Sequence, residues 1–214
     1  GLAVWAVQMA WIPVMATGVI NGIGHYWGYR NFESADASTN VSIWGIIIGG
    51  EELHNNHHTY PTSARFSVKP YEFDIGWMYI SLMQKVGWAT VKKVPPRLHL
   101  GDVKPVADEK TLEAIIANRY EVMARYAREM RLACKAEIAA FQGKQGDLAL
   151  LKTAKRWMPR DEDKVPESAR PVLAKARAAH PVLDKMVVMR EELRQLWLNR
   201  SHSREQLAAD LQAW

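Results

Sequence analysis

The chain has 214 residues, of which 48% are hydrophobic, so one or two domains are expected. Its formal net charge is +5, but acidic residues interleave the basic ones through the second half, which argues against a nucleic-acid-binding surface. Cys134 is the single cysteine, which excludes an intrachain disulfide and is compatible with a cytoplasmic setting.

Charged residues are concentrated in the second half of the chain. Residues 1–99 contain 7 Lys and Arg against 6 Asp and Glu, whereas residues 100–214 contain 21 against 17. This division predicts a membrane-associated region over residues 1–99 and a water-soluble helical extension over residues 100–214.

The first element is an apolar run over residues 2–20, in which Gln8 and Thr17 are the only clearly polar members. About twenty such residues suffice to cross a bilayer, and Pro13 is tolerated inside a membrane helix. The run lacks the basic start and the small-residue cleavage site of a signal peptide. We therefore predict a transmembrane helix, with the buried helix of a soluble protein as the alternative.

Two short stretches follow this helix. Residues 31–40 are polar, and residues 41–48 are apolar but too few to cross the hydrocarbon of a bilayer. We expect the second stretch to pack against the membrane region, or to lie at its interface, and to lead into the next motif.

Three histidines then fall within five residues, in the segment 51–61 with the sequence EELHNNHHTYP. In a helix, the spacings of three and four residues put His54, His57 and His58 on one face, where their ring nitrogens can converge on a metal ion. Asn55 occupies the position at which a zinc protease of the H-E-x-x-H type needs its catalytic Glu, which argues against that class. The alternative interpretation is three solvated surface histidines.

Asn21 and His25 lie four residues apart at the end of the first apolar run, so they share one helical face. A fourth histidine favours iron or zinc over calcium or magnesium, because the latter two ions prefer oxygen ligands. Glu51 and Glu52 precede the cluster, where either can accept the free N–H of a ligating imidazole or simply add negative charge at a helix N-terminus.

Three segments carry a family resemblance: residues 21–30 (NGIGHYWGYR), 49–61 (GGEELHNNHHTYP) and 69–77 (KPYEFDIGW). Together they resemble the membrane fatty acyl desaturases of the bacterial Δ9 type, which act on acyl-CoA or acyl lipids. The resemblance implies that Asn21 reaches one iron through a water molecule. It also implies four iron ligands: His25, His54, His57 and His58.

The resemblance implies a nonheme diiron enzyme that introduces a cis double bond into a long acyl chain, using O₂ and external electrons. The implied partners are the lipid membrane, an acyl-CoA or phospholipid acyl substrate, and an electron donor of ferredoxin, rubredoxin or cytochrome type. The implied location is a bacterial inner membrane. Two alternatives remain open: a fatty acid or lipid hydroxylase of the same membrane superfamily, and a membrane-anchored helical scaffold without catalytic activity.

The family has two earlier histidine boxes, of H-x-x-x-x-H and H-x-x-H-H type, and this chain contains neither. The chain also begins at Gly1, already inside an apolar segment. We therefore expect it to be the later part of a longer protein, to hold about half of the iron ligands, and to be inactive by itself.

After the histidines, residues 74–90 are amphipathic, with apolar residues at helical spacing. We predict a helix that lies on the bilayer surface and covers the metal site. Lys92, Lys93 and Arg97 follow, and basic residues beside membrane segments favour the cytoplasmic side. The metal site and the extension are therefore expected to face the cytoplasm.

The extension is predicted to be helical throughout, which makes the chain all-α: one transmembrane helix, interfacial helices and a soluble helical tail. Asp108 is placed to cap a long helix that runs to about residue 142 and ends at Gly143 and Gly146. Asp147 is placed to cap a shorter helix through Trp157.

Pro166 and Pro181 suit the first turns of two further helices, and Ser203 with Gln206 makes a capping-box pattern for the last one. Three isolated histidines are predicted to be surface residues: His99, His180 and His202. The extension also resembles the C-terminal extension of proteobacterial desaturases, for which we expect a role in self-association or partner docking.

Overall fold

The computed structural model describes residues 1–34, 36–98, 101, 104–141, 145–199 and 201–214. The chain divides into two compact units, Gly1–Arg97 and Leu98–Trp214. Helices make up most of the regular structure, and each described strand is only two residues long. The predicted all-α fold class is confirmed. The predicted boundary between His99 and Leu100 lies outside the described residues.

The first apolar run forms one continuous helix over Leu2–Ile23. It begins as the α-helix α1, Leu2–Ile12, and continues as a π-helix over Pro13–Ile23. The hydrogen-bond pattern changes at Pro13, which has no backbone N–H to donate. Its 22 residues lie within the range of about 17–25 residues that membrane-spanning helices use.

The surface of this helix separates the two interpretations of the apolar run. A core helix of a soluble protein has its apolar side chains covered. Here only 6% of the most apolar part of Leu2–Ile23 is buried. The helix therefore leaves an apolar surface uncovered, as membrane association requires.

The chain after this helix folds back on itself before the histidine cluster. Tyr29 pairs with Asn40 in an antiparallel bridge. The strand β1, Trp44–Gly45, then pairs in parallel with β2, Phe73–Asp74. The helix α2, His54–Thr59, lies between these two strands in the sequence, so the pairing closes a loop around it.

The helix α3, Ile75–Lys85, is shorter than the amphipathic segment 74–90 predicted from the sequence. It begins where Asp74 Oδ1 accepts a hydrogen bond from the backbone N–H of Trp77 at 2.8 Å. It is followed by Gly87, whose φ of +78° lies in the left-handed region that favours glycine. Four of its apolar side chains are exposed, Met78, Tyr79, Leu82 and Met83, but its place on the bilayer surface remains a prediction.

Six α-helices form most of the regular structure of the described second unit: α4 Glu109–Ala117, α5 Arg119–Ala140, α6 Gln145–Ala154, α7 Arg170–Ala179, α8 Pro181–Leu198 and α9 Arg204–Ala213. Two apolar clusters hold them together. Helix α5 supplies Met130 and Cys134 to the first cluster and Met123 to the second. Helix α8 likewise supplies Leu183 to the first and Leu193 to the second, so these two helices join both clusters.

The long helix predicted from Asp108 is wrong, because the chain forms two helices there. Asp108 caps α4 as predicted, with its Oδ1 accepting from the backbone N–H of Thr111 at 2.8 Å. The helix breaks at Asn118, whose side-chain amide donates to the backbone carbonyl four residues earlier at 2.9 Å and so competes with the backbone pattern. The predicted end at residues 142–143 lies outside the described residues.

Two other predicted helix starts also need correction. Asp147 lies in the first turn of α6, not at its N-cap, because α6 already begins at Gln145, includes Gly146, and ends at Ala154, before Trp157. Pro166 precedes a single 3-10 turn, Glu167–Ala169.

The first turn of α7 is instead occupied by Pro171. Pro181 at the start of α8 is confirmed. The capping box of Ser203 and Gln206 at the start of α9 is confirmed as well.

The isolated histidines of the second unit differ from one another. The His202 side chain is exposed, as predicted. The His180 side chain is only 11% exposed and its Nδ1 lies 3.4 Å from Glu137 Oε2, so its prediction as a surface residue is wrong. His99 lies outside the described residues.

Candidate metal centre

Three of the four predicted ligands converge in the first unit. One ring nitrogen from each of His25, His54 and His58 lies within 4.8 Å of the other two. Their ring centroids are 4.9 Å apart for His25 and His54, 5.2 Å for His25 and His58, and 4.2 Å for His54 and His58. We call these three residues the histidine triad.

The helix α2 and the turn after the Leu2–Ile23 helix place the three residues of the triad. His54 and His58 are four residues apart on α2, and this spacing puts them on one face of the helix. His25 follows two residues after the end of the Leu2–Ile23 helix. Gly24 lies against both this helix and the His54 ring, where a β-carbon would not fit.

His57 stands apart from the triad. Its ring centroid is 6.3 Å from that of His54 and 5.6 Å from that of His58. It packs instead against Phe66, at 4.7 Å between ring centroids. Because adjacent helical residues are rotated by about 100°, His57 and His58 cannot both lie directly above His54.

Two triad members use Nδ1 for protein contacts. His25 Nδ1 lies 2.8 Å from the backbone carbonyl of Asn21, and His58 Nδ1 contacts Asp36 Oδ2. A carbonyl or a carboxylate only accepts, so each Nδ1 carries the hydrogen and donates it. This arrangement leaves each Nε2 free to bind a metal, as in most histidine-ligated sites.

Asn21 contacts His25 through its backbone carbonyl, whereas its side chain is exposed. Its predicted contact with iron through water remains a prediction. Asp36 was predicted only as part of a polar stretch, and no sequence signal marked it as the partner of His58.

His54 is the part of the site that most needs a ligand. It is 3% exposed, and within the described part of the chain neither ring nitrogen has a hydrogen-bond partner. Glu51 Oε2 lies 3.8 Å from Nδ1, which is beyond hydrogen-bonding distance. A buried polar group without a hydrogen-bond partner destabilises the folded state by about 1–3 kcal/mol. A metal ion bound to His54 would supply the missing partner.

The donor set and its protonation also fit a metal ion. Burial lowers the pKa of His57, more than the nearby Glu51 carboxylate raises it, which favours the neutral imidazole that metals bind. The contact with His54 lowers the pKa of Glu51 despite the opposing effect of burial, so Glu51 stays ionised beside the site. Three nitrogens bonded to one ion at about 2.1 Å lie roughly 3.0–3.6 Å from one another, so the triad, whose nitrogens lie within 4.8 Å of one another, would contract by about 1 Å to hold an ion.

The two acidic residues that precede the histidine cluster make different contacts. Glu51 lies beside His54, as the sequence allowed. Glu52 does not contact a histidine: its Oε1 accepts from three consecutive backbone N–H groups, of Ile46, Ile47 and Ile48. It therefore fixes the loop before α2, and of the two acidic residues Glu51 is the one that lies near an imidazole, at 3.8 Å from His54 Nδ1.

The two asparagines between the histidines build the frame of the site. Asn55 is fully buried, and its Oδ1 accepts from the backbone N–H groups of Asn31 and Phe32 at 2.9 and 3.0 Å. Its Nδ2 donates to the carbonyl of Phe32 and to Ser34 Oγ. Asn55 thus ties α2 to the segment that leads to Asp36.

Asn56 makes the corresponding connection on the other side. Its Nδ2 donates to Glu72 Oε2 at 2.9 Å, and its Oδ1 accepts from Asn31 and Asn40. Glu72 is a buried carboxylate that also accepts from Tyr29 and from two backbone N–H groups. The sequence identified none of these polar contacts, because asparagine in a motif does not indicate what it will bind.

Comparisons with known proteins identify fatty acid desaturases among the relatives. The sn-1 stearoyl-lipid 9-desaturase of Anabaena variabilis is 37% identical over 93 residues, which are 42% of this chain and 34% of that protein. The sn-2 palmitoyl-lipid 9-desaturase of Nostoc sp. (strain 36) is 41% identical over 85 residues, 38% of this chain and 29% of that protein. The Delta-9 acyl-lipid desaturase 2 of Arabidopsis thaliana is 37% identical over 84 residues, 39% of this chain and 27% of that protein.

The chain spans about a third or less of the length of these relatives. No family model matches it, and no solved structure matches it. The predicted resemblance to acyl-lipid and acyl-CoA desaturases of the Δ9 type is confirmed. Together with the exposed apolar helix, this similarity indicates a membrane-associated protein of lipid metabolism.

Proposed function

We propose that this chain is the metal-binding part of a fatty acid desaturase that introduces a cis double bond into a long acyl chain. The observation that carries the proposal is His54, a buried imidazole between His25 and His58 whose two nitrogens have no partner among the described residues, in a chain similar to lipid desaturases. The alternative of solvated surface histidines does not fit His54, which is 3% exposed.

The residues of the site have separate roles in this proposal. His25, His54 and His58 hold one iron, and His57 belongs to the second iron of a two-iron centre. Iron bound there supplies the oxidising chemistry, with O₂ and external electrons, that removal of hydrogen from an unactivated acyl chain needs. Asp36 and the Asn21 carbonyl keep His58 and His25 in the tautomer that leaves Nε2 free.

The proposal also covers the surroundings of the site. The Leu2–Ile23 helix anchors the protein in a bacterial inner membrane, with the site on the cytoplasmic side. The substrate is an acyl-CoA or a phospholipid acyl chain, and a ferredoxin, rubredoxin or cytochrome-type protein supplies the electrons. Four histidines are too few for two irons, so further ligands come from the rest of the complete gene product.

Metal analysis of the purified chain tests the proposal. We expect iron to bind, and His54→Ala to abolish binding, whereas the control His202→Ala leaves it unchanged because His202 is exposed in the other unit. Absence of iron binding, or equal binding by both variants, would support the scaffold interpretation.

Product analysis separates desaturation from hydroxylation. Cells that express the complete gene product would receive a labelled saturated acyl substrate, and the lipids would be examined for an alkene. A hydroxylated product without an alkene would contradict the proposed reaction.

A further inference from the structure

A cavity of about 480 Å³ lies in the first unit beside α3, and none of the four histidines lines it. Its walls include Arg65, Trp77, Gln84, Pro95 and Arg97. The volume is in the range of small-molecule sites, 300–1,000 Å³. Two guanidinium groups from separate segments therefore border one space.

The backbone fixes both of these segments. The N–H of Ala64 donates to the carbonyl of Lys93 at 3.0 Å, which joins the segment of Arg65 to the segment that leads to Arg97. Asp74 Oδ2 accepts from the backbone N–H groups that follow Arg65, at 2.7 and 3.1 Å. Asp74 also caps α3 by accepting from the N–H of Trp77. One carboxylate therefore holds in place both the segment of Arg65 and Trp77, which lines the cavity.

The two arginines carry charge that the described residues leave unpaired. Neither guanidinium forms an ion pair with a carboxylate anywhere in the part of the chain that the structure describes. Arg65 Nε donates to Ser67 Oγ at 3.1 Å, and its guanidinium lies 6.0 Å from the centroid of Trp77. Burial and the neighbouring charge of Arg97 lower the pKa of Arg65, whereas the carboxylates of Asp74 and Glu72 raise it. Both carboxylates already accept backbone N–H groups, and a guanidinium stays protonated, so the arginine pair attracts an anion.

The helix that borders the cavity also exposes apolar side chains. Tyr79 and Leu82 are 52% exposed, and Met83 and Val86 are exposed as well. A group of exposed apolar residues marks a surface that contacts a membrane or a partner. On this membrane-associated chain, an apolar helix face suits an anionic amphiphile when it lies beside two arginines that form no ion pair with any described carboxylate.

We propose that Arg65 and Arg97 bind the phosphate of an anionic membrane phospholipid, whose acyl chains lie along the exposed apolar face of α3. The guanidinium fork matches the oxygens of a phosphate, with which it forms charge-assisted hydrogen bonds. Trp77 and the prolines form the walls of this open cavity beside the head group. This site does not depend on iron, and it goes beyond the proposed function because no residue of the triad takes part.

Lipid binding to the purified chain, in uncharged detergent micelles with a chelator present, tests this site. The probe is fluorescent phosphatidylglycerol, followed by anisotropy and competed with unlabelled phosphatidylglycerol, phosphatidylcholine or inorganic phosphate. We expect Arg97→Gln to weaken binding roughly tenfold or more, since hydrogen bonds to charged groups are strong. The matched control is Lys92→Gln, which removes the same charge from an exposed residue of the same segment outside the cavity, and should change affinity less than about twofold.

Each other outcome overturns part of the proposal. If Arg97→Gln and Lys92→Gln lower the affinity for phosphatidylglycerol equally, the lipid binds to a generally basic surface and not to a specific site. If phosphatidylcholine competes as well as phosphatidylglycerol, the apolar face of α3 binds lipid without recognition of the anionic head group. If inorganic phosphate competes as well as phosphatidylglycerol, the arginines bind a free anion and not a lipid. Arg65→Lys keeps the charge but loses the fork, so unchanged binding by this variant would contradict the bidentate geometry. Because the chelator removes iron from every sample, failure of this test leaves the proposed function untouched.

Discussion

The carboxylate of Asp36 accepts a hydrogen bond from Nδ1 of His58, 22 residues later in the chain. Burial raises the pKa of Asp36, but hydrogen bonds from Ser38, His58 and Ser34 outweigh it, so the pKa lies below its usual range and the group is ionised. An ionised partner at Nδ1 orients the ring and makes Nε2 a better metal ligand.

We therefore expect Asp36→Asn to lower the affinity for metal by about 10- to 100-fold without unfolding the first unit. Competition with a calibrated chelator measures the affinity, and circular dichroism checks the fold. Asp147→Asn is the control, because Asp147 is an exposed carboxylate in the second unit. Equal affinity for Asp36→Asn and the unchanged chain would show that Asp36 does not position a ligand.

His54 and His57 should differ when each is replaced by alanine. His54→Ala removes the central member of the triad and should abolish binding of the first metal ion. His57→Ala should leave that ion bound, because the His57 ring packs against Phe66 outside the triad. Metal stoichiometry measured by mass spectrometry checks this difference. Loss of the first ion from both variants would place His57 among its ligands.

Asn55 should matter for stability more than for chemistry. Replacement by alanine leaves the backbone groups of Asn31 and Phe32 without partners, so we expect a loss of roughly 2–4 kcal/mol in the free energy of unfolding. Ser42→Ala, which removes one exposed hydrogen bond to the Trp44 N–H, should cost less than about 1 kcal/mol. Denaturant titration of the first unit gives both values. A cost for Asn55→Ala no greater than that of Ser42→Ala would mean that water replaces the lost contacts.

Local patterns predicted local features of the fold. Apolar length predicted the Leu2–Ile23 helix, and side-chain chemistry predicted the caps at Asp108 and Ser203, because each depends on residues within a few positions. The same reasoning failed at Asn118, where the side-chain amide competes with the backbone for a carbonyl and divides the expected long helix. Apolar periodicity continues across that residue, so it gave no sign of the break.

The site was predictable only in part for a related reason. The spacing of His54 and His58 follows from one helical turn, and the approach of His25 was expected from the family resemblance. The partners Asp36 and Glu72 depend on the path of irregular loops, which no periodicity describes. Sequence reasoning therefore identified metal-binding residues but not the polar groups that hold them.

The second unit contains a buried ion pair whose loss should be severe. Arg190 is 3% exposed and its Nη2 donates to Asp161 Oδ1 at 2.6 Å. Asp161→Asn leaves a buried charge without its partner, so we expect a loss of about 3–5 kcal/mol in the free energy of unfolding. The control pair is Arg177 and Asp184, which lies on the surface, and Asp184→Asn should cost less than about 1 kcal/mol.

The ion pair of Arg190 and Asp161 should also make the stability of the second unit depend on pH. Burial raises the pKa of Asp161, but the hydrogen bond and charge of Arg190 outweigh it, so the folded-state pKa is lower than the unfolded value of about 3.9. The folded state therefore binds the proton less readily, and the stabilisation is complete above about pH 4 and lost as the pH falls through the folded-state pKa. Urea titrations of the second unit at decreasing pH should show this loss in the unchanged chain and a smaller one in Asp161→Asn. Parallel pH profiles for the two proteins would mean that other carboxylates determine its acid sensitivity.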